Sequence, residues 1–234
     1  MNKIRIYSLA IVLIAAAALS TTAAPEYDGT LRIGATIVDD EGNRGVDQPT
    51  YNLYEGFGLS LENFQYRLDN GLRLDANLKN VTMNNRNLNV GLTKSGLFGV
   101  TLHNDQYRRT YSFAGDHFTR RSRTNGSAWF KPHEYVKVYG GLGTVDKHGD
   151  MVELFDPAGL NSVNTVDYTH TFYHAGLSLG HDRDRVTVEY RGSDFTDNMS
   201  GSANDRSSQR FRVAGSTVIP RLRNLALNGG FQHY

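Results

Sequence analysis

Leu72-Arg73-Leu74-Asp75-Ala76-Asn77-Leu78-Lys79 decides the fold. Apolar side chains occupy every even position and polar ones every odd position. Successive side chains of an extended strand point to opposite faces, so this stretch has one apolar face and one polar face. The same alternation returns in Leu31-Ile33-Ala35, Phe57-Leu59-Leu61, Leu88-Val90-Leu92, Phe98-Val100-Leu102, Val136-Val138-Gly140-Leu142, Val186-Val188-Tyr190, Phe211-Val213-Gly215 and Leu225-Leu227-Gly229-Phe231. No comparable stretch has the helical period, and about eleven strands are expected from Thr30 onward.

Two strands change phase midway. Phe64, Tyr66 and Leu68 are out of step with Phe57 to Leu61, and Ala175, Leu177 and Leu179 are out of step with Val166 to Phe172. One extra residue returns the apolar side chains to a single face, so β-bulges are expected near Asn63 and near His174.

The connections add direction. Leu68-Asp69-Asn70-Gly71-Leu72 reads as a tight hairpin with Gly71 supplying positive φ. Lys94-Ser95-Gly96, Pro132-His133-Glu134, His181 to Arg185 and Ile219 to Asn224 are similarly short, while 39–54, 103–121, 146–164 and 196–207 read as longer polar connections. Asn84 to Asn87 breaks the alternation, being short where a long connection is expected. Short turns at one end of an antiparallel meander and long loops at the other describe a bacterial outer-membrane barrel. A soluble β-sandwich or barrel has the same period with its apolar face turned inward, so the period alone leaves both open. Aromatic residues near strand ends, namely Tyr66, Tyr107, Tyr111, Phe130, Tyr135, Tyr168 and Tyr190, favour the membrane barrel, where they would form interfacial girdles.

The first residues point the same way. Lys3 and Arg5 precede the apolar run Leu9 to Leu19, and the small residues Ser20 to Ala24 follow. This is the pattern of a secretory signal peptide, with cleavage expected after Ala23, and the run is too short for a spanning helix. The expected organisation is a signal peptide over 1–23 and an outer-membrane β-barrel over 24–234.

Composition excludes several chemistries. The 25 Lys and Arg nearly cancel the 24 Asp and Glu, so no global field draws the chain onto nucleic acid. The chain has no Cys, which removes disulfides, thiolate zinc sites, iron–sulfur ligation, Cys nucleophiles and covalent haem attachment. His170 and His174 have the spacing of a helical zinc pair but sit in a strand, where a bulge would place them on different faces; no H-E-x-x-H pattern accompanies them. There is no G-x-S-x-G elbow, and the glycines never form a phosphate-cradling loop before a helix. No catalytic, metal or cofactor site is expected, haem included, and the chain is read as a non-enzyme.

The usable functional feature is the polar face. If Leu72, Leu74 and Leu78 meet lipid, then Arg73, Asp75 and Lys79 face a lumen, joined by Glu62, Arg67, Lys137, Glu189, Arg191, Arg210 and Arg212. A wall of mixed sign can line a hydrated pore or hold a polar plug. The basic pairs Arg108-Arg109 and Arg120-Arg121 are read as stabilising the loop between them.

Tyr54-Glu55-Gly56-Phe57-Gly58-Leu59-Ser60-Leu61, Tyr66 to Leu72, Asn85-Arg86-Asn87-Leu88, Gly96-Leu97-Phe98-Gly99 and Gln106-Tyr107-Arg108-Arg109 resemble the MtrB/PioB family of outer-membrane barrels. The likeness is one of strand and turn style over most of the chain after residue 23. It implies a sheath around a periplasmic multihaem c-type cytochrome, insulating an electron path across the outer membrane of a Gram-negative bacterium. Some members carry an N-terminal C-x-x-C, which this chain lacks.

The expected fold is therefore all-β: an antiparallel up-and-down transmembrane barrel of about eleven strands. An odd count, and a last strand whose Leu225, Leu227 and Phe231 are out of phase with Tyr234, predict an open, partial barrel. The expected location is the outer membrane, with its lipid as one partner, and the expected function is that of a porin or a cytochrome sheath. The competing expectation is a soluble periplasmic β-protein that binds a ligand or partner.

Overall fold

The computed structural model describes residues 26–37, 56–112, 116–152, 163–181, 184–199, 204–218 and 226–233; the expected signal segment and the connection 39–54 lie outside them. Eleven strands follow one another: β1 (Glu26–Thr36), β2 (Gly56–Arg67), β3 (Leu72–Lys79), β4 (Asn87–Lys94), β5 (Phe98–Thr110), β6 (Phe118–His133), β7 (Val136–Val152), β8 (Val163–His181), β9 (Asp184–Asp197), β10 (Arg206–Val218) and β11 (Ala226–His233). They form one sheet whose spatial order is the sequence order, each strand antiparallel to the next. The sheet does not close: β1 and β11 are its two edges.

Tight turns impose this meander. Between β2 and β3 the Leu68 N–H donates to the Leu72 carbonyl at 2.9 Å and the Gly71 N–H to the Leu68 carbonyl at 3.0 Å. Gly71 has φ 79°, a region glycine enters without a Cβ penalty.

Register then sorts the side chains. One row of paired positions runs Tyr66, Leu74, Leu92, Val100, Ala128, Gly140, Ala175, Tyr190 and Phe211. The neighbouring row, on the other face, runs Glu26, Arg67, Arg73, Thr93, Gly99, Trp129, Tyr139, Gly176, Glu189 and Arg212. Among the described residues no second layer covers either face, and only Leu74, Ala76 and Val145 are buried apolar residues. On the apolar face Leu142 is 67% exposed and Leu31 63%.

The bulge expected at Asn63 is present. The β2–β3 register shifts between Leu61 and Phe64, and Asn63 takes φ 53°, so Phe64 and Tyr66 rejoin the face of Leu59 and Leu61. No bulge occurs at His174. The β7–β8 ladder is continuous from Val136↔Leu179 to Val152↔Val163. Val166, Tyr168, His170 and Phe172 therefore stand on the polar face, together with His174.

Three connections expected to be long are shorter than that reading, because strands run into them from both sides. β5 and β6 extend through 103–110 and 118–121, β7 and β8 leave only 153–162 between them, and β9 and β10 only 198–205. The reason lies in the far halves of these strands. On the apolar face of β5, Phe98, Val100 and Leu102 give way to Asn104, Gln106 and Arg108; on β7, Val136, Val138 and Leu142 give way to Thr144, Asp146 and His148. The apolar band is thus five to seven residues tall, roughly 20 Å, while β8 runs for 19 residues. Beyond the band both faces are polar, and alternation disappears although the strands continue. Arg108, Arg109, Arg120 and Arg121 accordingly lie in paired strands, with Arg108 opposite Arg120 on one face and Arg121 opposite Tyr107 on the other. The expected girdle divides too: Tyr66, Phe130 and Tyr190 are on the apolar face, whereas Tyr107 and Tyr168 are on the polar face.

The β5–β6 connection carries its own lock. The Ser112 hydroxyl donates to the Asp116 carboxylate, and the His117 N–H donates to the same carboxylate at 3.0 Å. The Ser112 bond, aided by His117, holds the Asp116 pKa below the usual carboxylate range. A depressed folded-state pKa stabilises the turn above the ordinary carboxylate range, and this contribution is lost as the pH falls through the folded value. Ser112→Ala is expected to move the Asp116 titration up toward the ordinary value, as read by carboxyl NMR shifts.

Candidate functional site

All ten charged residues expected to share a face do so. Arg73, Asp75 and Lys79 alternate with the leucines of β3; Arg67 and Arg73 are register partners, as are Glu189 and Arg212, and Arg191 and Arg210. Lys137 lies on the same side of β7 as Tyr139, and Glu62 reaches Arg32.

The face is knit by ion pairs. Arg73 Nε donates to Asp75 at 2.7 Å, Arg32 and Glu62 approach to 3.3 Å, and Arg67 and Glu26 to 3.8 Å. Exposed pairs of this kind contribute about 0–1 kcal/mol each. Their value here is positional: within strands, every ion pair among the described residues stands on the polar face.

Glu189 is the most enclosed of these groups, at 7% exposure. Arg191 grips it through Nε at 2.6 Å and Nη2 at 3.1 Å, and the Tyr139 hydroxyl donates to it at 3.2 Å from two strands away. Tyr139 reaches that far because the intervening residue is Gly176, where a Cβ would collide with the phenol ring. Lys137 Nζ sits 5.3 Å from the Trp129 ring centre and 5.9 Å from that of Tyr139. Arg210 and Arg212 form no ion pair among the described residues, and Arg210 faces the like-charged Arg191. Beside Trp129 a cleft of about 420 Å³ opens between Arg67, Arg73 and Thr93.

Further up the face lie residues that sequence reasoning passed over. Asp105 contacts His103 at 3.1 Å and Arg121 at 3.6 Å, and Arg123 rests 5.4 Å from the centre of the Phe172 ring. Reading 103–121 as loop hid Asp105 and gave Arg121 only a loop-stabilising part; reading Val166 to Phe172 as lipid-facing hid Phe172. The usable signal was the polar alternate set of β6, Arg121, Arg123, Asn125 and Ser127, which leads directly to Trp129.

His170 and His174 share the polar face but join different neighbours, His170 with Phe172 and Phe195 and His174 with Tyr139. Among the described residues no group of three or more His, Asp or Glu is placed to hold a metal ion. The arrangement offers charged and hydrogen-bonding groups beside aromatic rings, a surface suited to holding a polar molecule. In comparisons with known proteins, no family model matches the chain and no curated protein matches it.

Proposed function

We propose that this chain is a non-enzymatic outer-membrane β-barrel protein of porin or MtrB/PioB-like type, its polar face turned to a lumen and its apolar face to lipid. The observation that carries the reading is the segregation of the two faces: large apolar residues stand exposed on one, and the strand ion pairs stand on the other. A soluble sheet would bury its apolar face against a second layer, whereas lipid solvates it without one. Strand length supports the reading too, since a spanning β-strand needs about 9–11 residues and most of these strands have that or more.

In this role the protein supplies a wall: a passage for solutes, or a sheath in which a multihaem c-type cytochrome carries the electrons. Fractionation and gel migration test it. The chain is expected to sediment with outer membranes and to migrate faster unboiled than boiled. Recovery in the soluble periplasmic fraction, with identical migration in both states, would overturn the reading in favour of a soluble β-protein.

A further inference from the structure

Four aromatic side chains of the polar face lean across glycines of the adjacent strand. Trp129 covers Gly99, Tyr139 covers Gly176, Phe172 covers Gly143 and His174 covers Gly141; at each glycine an added Cβ would run into ring atoms. With no side chain on the glycine, each ring has room to lean over the backbone of the neighbouring strand. The rings also fall in two contacting groups along the face. Tyr139 is 6.2 Å from His174, His170 is 6.0 Å from Phe172 and 6.5 Å from Phe195, and Phe195 is 5.0 Å from Tyr168. From the row of Trp129 and Gly176 to that of Tyr168 this strip of the face climbs eight residues of β8, roughly 26 Å.

Cations crowd it. Lys137 rests by Trp129 and Tyr139, Arg123 by Phe172 and Arg121 by Tyr107. Arg191, Arg210 and Arg212 line its lower flank. The nearby carboxylates are already engaged, Glu189 by Arg191, Asp105 by Arg121, and Asp197, beside Tyr168, by the Met199 N–H and the Asn204 side chain. This excess of positive charge is local, because the whole chain carries a formal charge of only +1.

We propose that the strip is a track for an acidic oligosaccharide, a sugar chain bearing carboxylates. The proposal rests on the reading of this face as a lumen wall. A pyranose has an apolar C–H face that settles on the negative face of an aromatic ring, while its hydroxyl edge needs hydrogen-bond partners. Flat rings bordered by Lys137, Arg123 and Asn125 answer both needs. Carboxylates on the sugar match the surplus cations, and Lys137 and Arg123 have the reach to swing from ring to anion. A protein partner fits less well, since the centre of a protein interface is depleted of charge and this strip is charged throughout.

Trp129 is the chain's one tryptophan, so its fluorescence reports the track directly. The full chain, refolded in detergent micelles, is titrated with a short oligogalacturonate and with a neutral malto-oligosaccharide of equal length. The uronate is expected to give a saturable change, weakened by salt, with the neutral sugar about tenfold weaker or more. Phe172→Ala and Arg123→Gln, both remote from the indole, are expected to weaken uronate binding about tenfold while keeping heat-modifiable migration.

No saturable response from a chain that still fractionates with outer membranes overturns the track and leaves the barrel reading standing. A saturable response from a chain recovered as soluble supports the strip as a sugar site while removing the lumen. Equal responses to both sugars, or full affinity in Phe172→Ala, overturn the proposal. So does a Trp129 that responds to a multihaem cytochrome and to neither sugar.

Discussion

Val100→Arg is expected to destabilise the protein by about 2–4 kcal/mol in a bilayer, whereas Arg73→Gln is expected to change little. Val100 lies in the middle row of the apolar band, between Phe98 and Leu102 on its own strand, and is 39% exposed. That exposure makes the experiment decisive. On a soluble protein a substitution at so open a position shifts stability by about 0.5 kcal/mol at most, so a large loss can come only from placing a guanidinium in hydrocarbon. Leu74 is a poorer probe, since at 6% exposure it would be sensitive in any environment. Denaturant unfolding from liposomes and from detergent measures the difference. A loss under about 0.5 kcal/mol in liposomes would place Val100 in water.

Gly149→Ala is expected to cost about 2–4 kcal/mol through backbone strain and overpacking together. Gly149 has φ 125° near the end of β7, a conformation reserved for glycine, and a Cβ there would strike the Phe118 carbonyl of the paired strand β6. Gly34→Ala is the control. Its added methyl meets nothing within 4 Å, and the substitution is expected to be neutral or slightly stabilising. Equal midpoints for the two variants in denaturant would sink the argument.

Where the sequence was legible, a physical asymmetry was written into alternate residues. Leu72 to Lys79 reads correctly because one face is apolar and the other charged, and Asn63 announces its bulge because both halves of β2 keep that contrast. β8 misleads for the opposite reason. Its lower half points Ala175, Leu177 and Leu179 to the apolar face, while its upper half points Tyr168, His170 and Phe172 to the polar face, so two apolar sets of opposite phase imitate a bulge. The strand part of 103–121 was invisible because Asn104, Gln106 and Arg108 alternate with the equally polar His103, Asp105 and Arg109. Of the candidate site, the ten charged positions were legible from parity alone. The aromatic strip was not, because it depends on which glycine lies beside which ring, and that is a property of register between strands far apart in sequence.

Eleven is an odd number, and a meander reverses direction at each turn, so β1 and β11 point the same way. A seam made directly between these two edges would be parallel, with slanted, evenly spaced hydrogen bonds in place of the alternating narrow and wide pairs found at the ten existing seams. To keep antiparallel pairing all the way round, both edges need neighbours running against them. An odd set of additional strands meets that requirement, and an even set leaves one mismatched seam. The polarity of the two margins thus sets the arithmetic of any ring this sheet can join.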